Sequence, residues 1–466
     1  MHAATEMNGN LLRQVRIDQS CRRLDRLRAT AEEWIAQRRE EDATGQYATQ
    51  LEVLRTAVIG PLTELRKIAD GLSAVHETGR VYAACRTSDM RAELIRRVFT
   101  YYQGKLDQRR DKALGPVLRA ADEVVWSCWA EPFRNVIRRD PAMTMRPAPL
   151  PYIESRYSPA AVPRDDPPAD LTAERDDSVL VAYLERLPIP LIALPEVCAD
   201  DPWWLAYVGH EVGHHLQHDL ADDWSLVKAF RGLTQEAGHA ACEANPAQWG
   251  TWSAEIFADF CSVHTMGPAA VYGIVQLELD DTDKMLQGKA KYPPPLIRLG
   301  IMATVASRLG LDVTAGLEPT GLDVASLPRA AVITALTDAA LADPLCGRGP
   351  FGTLLGWDAG AFAVRGTITG MRDGLRNRAP LRVRPGIRTA RQLTSAAVAA
   401  WEEIARMPDP RQREDSRIEL AGRFLPAVIA GREEGTRATA GRAALGAAKL
   451  PVDLTRLLIE SIPESP

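Results

Sequence analysis

The sequence predicts an α+β fold that is predominantly helical, with a small sheet in its middle. Three observations lead there. Apolar residues recur at spacings of three and four through most of the 466 residues, the period of helices with one buried face. Two short runs rich in Val, Ile and Leu, SVLVAYL and IPLIALP, stand near the centre and read as strands around a charged, proline-bounded turn. Just ahead of them prolines and acids cluster, which neither a helix nor a central strand tolerates.

In chain order, residues 1–140 read as an N-terminal helical bundle or long hairpin. LLRQVRIDQSCRRLDRLRATAEEWIAQRREE sets Leu12, Val15, Ile17, Leu24, Leu27, Ala31 and Ile35 along one stripe. QLEVLRTAVIGPLTELRKIADGL repeats the pattern after a polar break at Asp42–Gly45, and Tyr101 to Ile137 adds one or two helices with Trp126, Trp129 and Phe133 on one side. A coiled-coil dimerisation arm is the alternative, but no heptad persists over several repeats. Residues 141–177 form a proline-rich linker or extended segment. Residues 178–310 hold the two strand-like runs and a return to helix from Trp203, broken at Asn245–Pro246, Gly267–Pro268 and Tyr292–Pro295. Residues 311–466 are a C-terminal helical region rich in Ala, Leu and Arg, interrupted at Gly347–Gly356 and at LRVRPGIR.

Hydrophobic residues at 46% and charged residues at 25% supply a full core and exclude wholesale disorder. A net charge of −5 gives no basic footprint for nucleic acid. The excess of acid sits in residues 141–300, where acidic side chains outnumber basic ones about two to one. No apolar stretch approaches the ~18 residues of a membrane helix; Val179–Cys198 is broken by Glu185, Arg186 and three prolines. The N-terminus lacks a signal pattern, and seven cysteines without a CxxC read as reduced thiols, so the expected setting is cytoplasmic.

The chemistry sits in WWLAYVGHEVGHHLQHDL, residues 203–220. His210-Glu211-Val212-Gly213-His214 is H-E-x-x-H: on a helix, residues four apart share a face, so His210 and His214 can offer two imidazole nitrogens to one zinc ion. Glu211 follows the first ligand and can reach water on that metal as general base. Asp201 and Pro202 read as an N-cap and first-turn proline for this helix. Two histidines and a glutamate on a half-exposed helix with no metal is the competing reading. A catalytic zinc needs a third protein ligand, and WSAEIFADFCSVHTMGPA offers Glu255 and Asp259, again four apart on one face.

With these two helical motifs in this order, the chain resembles gluzincin-type zinc metallopeptidases; EIFAD is closest to the E-x-x-A-D of HtpX-like and CaaX-protease-like peptidases. The resemblance covers roughly residues 178–300. It implies a zincin-like metallopeptidase core, with Glu255 as third zinc ligand and Asp259 accepting the far ring N–H of His210, an arrangement that fixes the tautomer and raises the imidazole's basicity. It also implies an edge strand before the metal helix, for which SVLVAYL and IPLIALP lie in the right place. KYPPPLIRLG is similar to the His-Pro segment ending in Arg-Ile of HtpX-like peptidases, with Tyr292 in place of the histidine and Arg298 as the arginine. Tyr292 and Arg298 are then candidate oxyanion or substrate contacts, unless Tyr292–Pro295 only starts a helix. The membrane helices of those relatives have no counterpart here, so membrane-protein substrates do not carry over.

The remaining histidines read blandly: His215 and His218 as solvent or helix-end contacts, His239 and His264 as satisfied core or surface residues. Trp203 and Trp204 read as helix packing, and the acidic pairs Asp200–Asp201 and Asp222–Asp223 as a solvated face that would favour basic peptides. The expected function is zinc-dependent hydrolysis of internal peptide bonds in a peptide or protein substrate, with Glu211 as base. The alternative is a catalytically silent zincin-fold sensor whose helical flanks bind a partner protein or a second copy of the chain.

Overall fold

A computed structural model of the chain describes residues 2–42, 44–163, 171, 189–221, 225–321, 329–356, 365–377, 381 and 383–433. The run SVLVAYL lies outside the described residues. Within them the fold is mostly helical with one small three-stranded sheet, and no helix is long and apolar enough to cross a membrane. Two compact units form, one containing the helices up to Asp107, the other Gln108–Ala161 and Leu191–Glu434. The helical region read as residues 1–140 therefore divides at Asp107.

In the first unit, α1 (His2–Glu41), α2 (Ala48–Gly71) and α3 (Thr78–Asp107) pack pairwise against one another. The core is drawn from all three, with Leu24 and Ile35, Leu54 and Val58, and Ile95 and Phe99 buried. Asp89 of α3 ties to Arg16 at 2.7 Å and to the Ser20 hydroxyl at 2.8 Å, and the Trp34 indole donates to Asp107 at 3.1 Å. The stripe on α1 is narrower than expected: Leu12 and Val15 are exposed, and burial begins at Ile17. Val15 and Ile17 point about 200° apart on a helix, so only one of them can face the partner helices.

The second unit is built around α4 (Leu114–Arg139). From Val117 to Phe133 it is buried almost all round, including Trp126, Trp129 and Phe133, so it lies inside its unit rather than at a surface. Beside it lies β1 (Leu150–Glu154), paired in parallel with β3 (Leu191–Pro195), Leu150 opposite Leu191 and Glu154 opposite Pro195. The sheet order is β1-β3-β2, with β2 spanning Ala160–Val162. Arg109 holds the layers together, bonding Asp122 of α4 at 2.7 Å and the Pro151 carbonyl of β1 at 2.6 Å.

Two expectations change here. IPLIALP does supply a strand, but β3 is the central one, buried at every residue as a doubly covered strand must be. The edges come from the segment read as linker or extended. Pro151 sits in β1, an edge strand, where the missing N–H costs no ladder bond.

The H-E-x-x-H helix, α5, runs Val208–Asp219 and is preceded by a 3₁₀ turn, Pro202–Tyr207. Asp201 does not cap it; its carboxylate pairs with Arg417 at 3.0 Å. Aromatic packing holds the tighter winding instead. Trp203 stacks on Trp401 of α9 (Thr389–Ala405) with ring centroids 4.6 Å apart, and the Tyr207 hydroxyl donates to the Gly273 carbonyl of α7 (Pro268–Glu278).

Against α5 lies α6 (Ser253–Met266), buried on nearly every side. The two helices approach at backbone distance because α5 presents Gly209 and Gly213 to α6. A Cβ on Gly213 would stand 2.8 Å from the Ala258 Cα and the Cys261 Cβ; on Gly209 it would meet the Thr265 hydroxyl at 2.7 Å. Gly213→Ala is therefore expected to destabilise the chain by about 1–3 kcal/mol, the usual cost of overpacking a filled interior. Chemical denaturation of the two proteins checks this, with an unchanged midpoint as the contrary result.

Candidate metal centre

Each motif lies on one helix, and the close crossing of α5 and α6 brings them together. His210, His214 and Glu255 offer ligand atoms that all lie within 4.8 Å of one another. The His210 and His214 Nε2 atoms are 3.2 Å apart; His210 Nε2 stands 3.4 Å from Glu255 Oε2, and His214 Nε2 3.6 Å from Glu255 Oε1. Two imidazoles and a carboxylate around one point make a donor set that could hold a metal ion.

Behind the ligands, Asp259 Oδ1 lies 2.9 Å from His210 Nδ1. That contact leaves Nδ1 protonated and Nε2 turned to the metal position, as the motif implies. Asp259 is fully buried. Its second partner is Arg298 of α8 (Pro295–Arg308), which forks onto it with Nε at 2.9 Å and Nη2 at 2.7 Å. Arg298 is itself only 4% exposed. The sequence reads it as an oxyanion or substrate contact; the structure places it behind His210 and Glu255, with its fork on Asp259 and Nη2 3.8 Å from Glu255 Oε2.

Glu211 is 5% exposed, and its carboxylate accepts the Ala161 N–H of β2. Burial pushes its pKa up, with the charge of His210 opposing and that of Glu255 adding to the rise. Tyr292 follows the turn at Lys289, is 47% exposed, and lies in electrostatic range of Glu255 and Glu211. Burial and those two carboxylates push its phenol pKa up, which keeps the hydroxyl a donor. Pro295 does start a helix, as the bland reading had it, and Tyr292 stands just ahead of it, within electrostatic range of both carboxylates.

The two ligand histidines are driven apart. Burial pushes His214 down to about 4, against the pull of Glu255. Burial also opposes charge on His210, but its contacts with Asp259 and Glu255 outweigh that and push it up to about 10. Without metal, His210 thus holds the proton of the cluster.

A scan against protein-family models finds no match for this chain, and searches of curated proteins and of solved structures find none either. Function must be read from the geometry.

The other histidines divide. His215 is not at the surface: it is buried, and its Nε2 bonds the Leu191 carbonyl at 3.0 Å, fastening α5 to β3. His264 is a core histidine bonded to the Phe260 carbonyl at 2.7 Å, His239 is exposed, and His218 is half-exposed at the end of α5. Sequence reading passed over Gly209, Gly213 and Ala161. The glycines had a visible signal, two residues without Cβ one turn apart on a helix; Ala161 had none, since a backbone N–H leaves no trace in sequence.

Metal ligation requires a neutral His210 Nε2, whereas the metal-free site holds a proton there at neutral pH. Divalent-metal uptake at pH 7–8 is expected to release about one proton per ion and to tighten as pH rises. Calorimetric titration in buffers of different ionisation heat reads that number directly, and a value near zero would contradict this proton assignment.

Proposed function

We propose that the chain is a zinc-dependent metallopeptidase with a zincin-like core, hydrolysing internal peptide bonds. One observation carries this reading: His210, His214 and Glu255 converge within 4.8 Å with Glu211, a buried carboxylate, adjacent to the first of them. A site serving only to hold a metal has no use for a buried base of raised pKa beside the ligands. The donor set fits the ion, because mixed imidazole and carboxylate ligation suits zinc. The charges fit as well. With both histidines neutral, as ligation requires, the carboxylates of Glu211, Glu255 and Asp259 and the guanidinium of Arg298 leave two negative charges for a divalent cation to neutralise.

His210, His214 and Glu255 would hold the zinc; when bound, it supplies Lewis acidity toward the scissile carbonyl and makes water more acidic. Glu211 takes a proton from the attacking water as the new C–O bond forms, then gives it to the amine as the C–N bond breaks. A raised pKa suits both halves of that transfer. The Ala161 N–H keeps the carboxylate aimed while it changes protonation state. Tyr292 donates its phenol hydrogen to the carbonyl oxygen as negative charge gathers there. Strand β2, an edge of the sheet among the described residues and bonded to Glu211, is suited to receive an extended peptide by strand addition.

Elemental mass spectrometry of the purified chain is expected to find about one zinc per molecule, and little in Glu255→Ala. Against a peptide library, Glu211→Gln is expected to keep the zinc and lose roughly 10²–10⁴-fold in rate. Tyr292→Phe is expected to lower kcat about 10²–10³-fold with little change in KM. A zinc-free wild type, or undiminished cleavage by Glu211→Gln, would overturn the proposal.

A further inference from the structure

We propose that Arg298 is a positioning residue of the metal centre: its guanidinium fork fixes Asp259, and Asp259 so fixed holds the His210 imidazole in register for the metal. The inference rests on the metal reading above and adds a residue that ligand geometry alone does not call for.

Asp259 Oδ1 has two claimants, His210 Nδ1 at 2.9 Å and Arg298 Nη2 at 2.7 Å, while Oδ2 takes Arg298 Nε at 2.9 Å. Two parallel bonds from a planar fork set the plane of the carboxylate, which a single bond to His210 would leave free to turn. The plane of the carboxylate sets the direction of the lone pair that His210 Nδ1–H meets. That direction in turn aims Nε2, on the far side of the ring, at Glu255 and His214. Arg298 also reaches Glu278 with Nη1 at 3.4 Å, so one side chain rooted in α8 grips α6 and the end of α7.

Burial gives the fork its consequence. Asp259 and Arg298 have almost no contact with solvent, so water cannot replace a lost bond on either. Lysine would keep the charge and could bond one oxygen, but it has no fork and cannot set a plane. A role limited to neutralising Asp259 would survive that exchange; positioning would not.

The full-length chain and three variants, Arg298→Lys, Asp259→Asn and the double variant, are titrated with zinc against a competing chelator. Circular dichroism and a thermal melt of each metal-free protein first establish that it is folded. The expected result is a loss of zinc affinity of about 10–100-fold in each single variant, the usual effect of removing a group that orients a metal-binding histidine. The double variant is expected to be no weaker than Asp259→Asn alone, because Arg298 acts through Asp259. Wild-type affinity in folded Arg298→Lys, or losses that multiply in the double variant, would overturn the positioning role and leave the metal centre standing. No zinc uptake by the wild type would overturn both.

Discussion

The site depends on one constraint: α5 and α6 must lie closer together than ordinary side chains allow. Gly209 and Gly213 make that possible, since neither has room for a Cβ against Thr265 or Ala258. These glycines are one turn apart, and each directly precedes or adjoins a residue of the His210–His214 pair. The face that packs and the face that ligates are therefore rotated by about 100° on the same helix. Contact between the backbones sets how far His210 and His214 stand from Glu255. A single repeat, four residues long, thus fixes both the packing and the placement of the two histidines.

Around that crossing the molecule buries charge, which is costly unless each group has a partner. Asp259 has Arg298 and His210, Glu211 has the Ala161 N–H, and Glu255 has the two histidines. Two helices of the motif, the helix of Arg298 and a sheet edge each contribute a member, so the cluster links elements that lie far apart in the chain. His215, bonded to the Leu191 carbonyl, joins α5 to the sheet by the same means. The polar contacts here serve as cross-links as well as chemistry.

How far the sequence could be read follows from which interactions are local. His210 with His214, and Glu255 with Asp259, were legible because a helix turns residues four apart onto one face. Pro202, Gly267 and Pro295 marked breaks for equally local reasons, as backbone conformation is a property of the residue itself; Gly267 sits at φ 58°. The α-helix start at Val208 was not legible, because the preceding turn is held by Trp401 and Gly273, far away in the chain. Strands β1 and β2 were hidden by prolines, which an edge position excuses but only the sheet order reveals. Arg298 was found as a residue but its fork onto Asp259 was not, since nothing in KYPPPLIRLG says which way a guanidinium turns.

Strand β2 has three residues, Ala160–Val162. At about 3.3 Å per residue that is a ledge roughly 10 Å long, enough for about two side chains of an extended peptide on one face. Backbone pairing over so short a length contributes little affinity, and one of its amides already serves Glu211. A peptide laid there would be held loosely, so selectivity would have to come from surfaces beyond the ledge. A peptidase of the kind proposed would then choose its targets by what they present at a distance from this ledge.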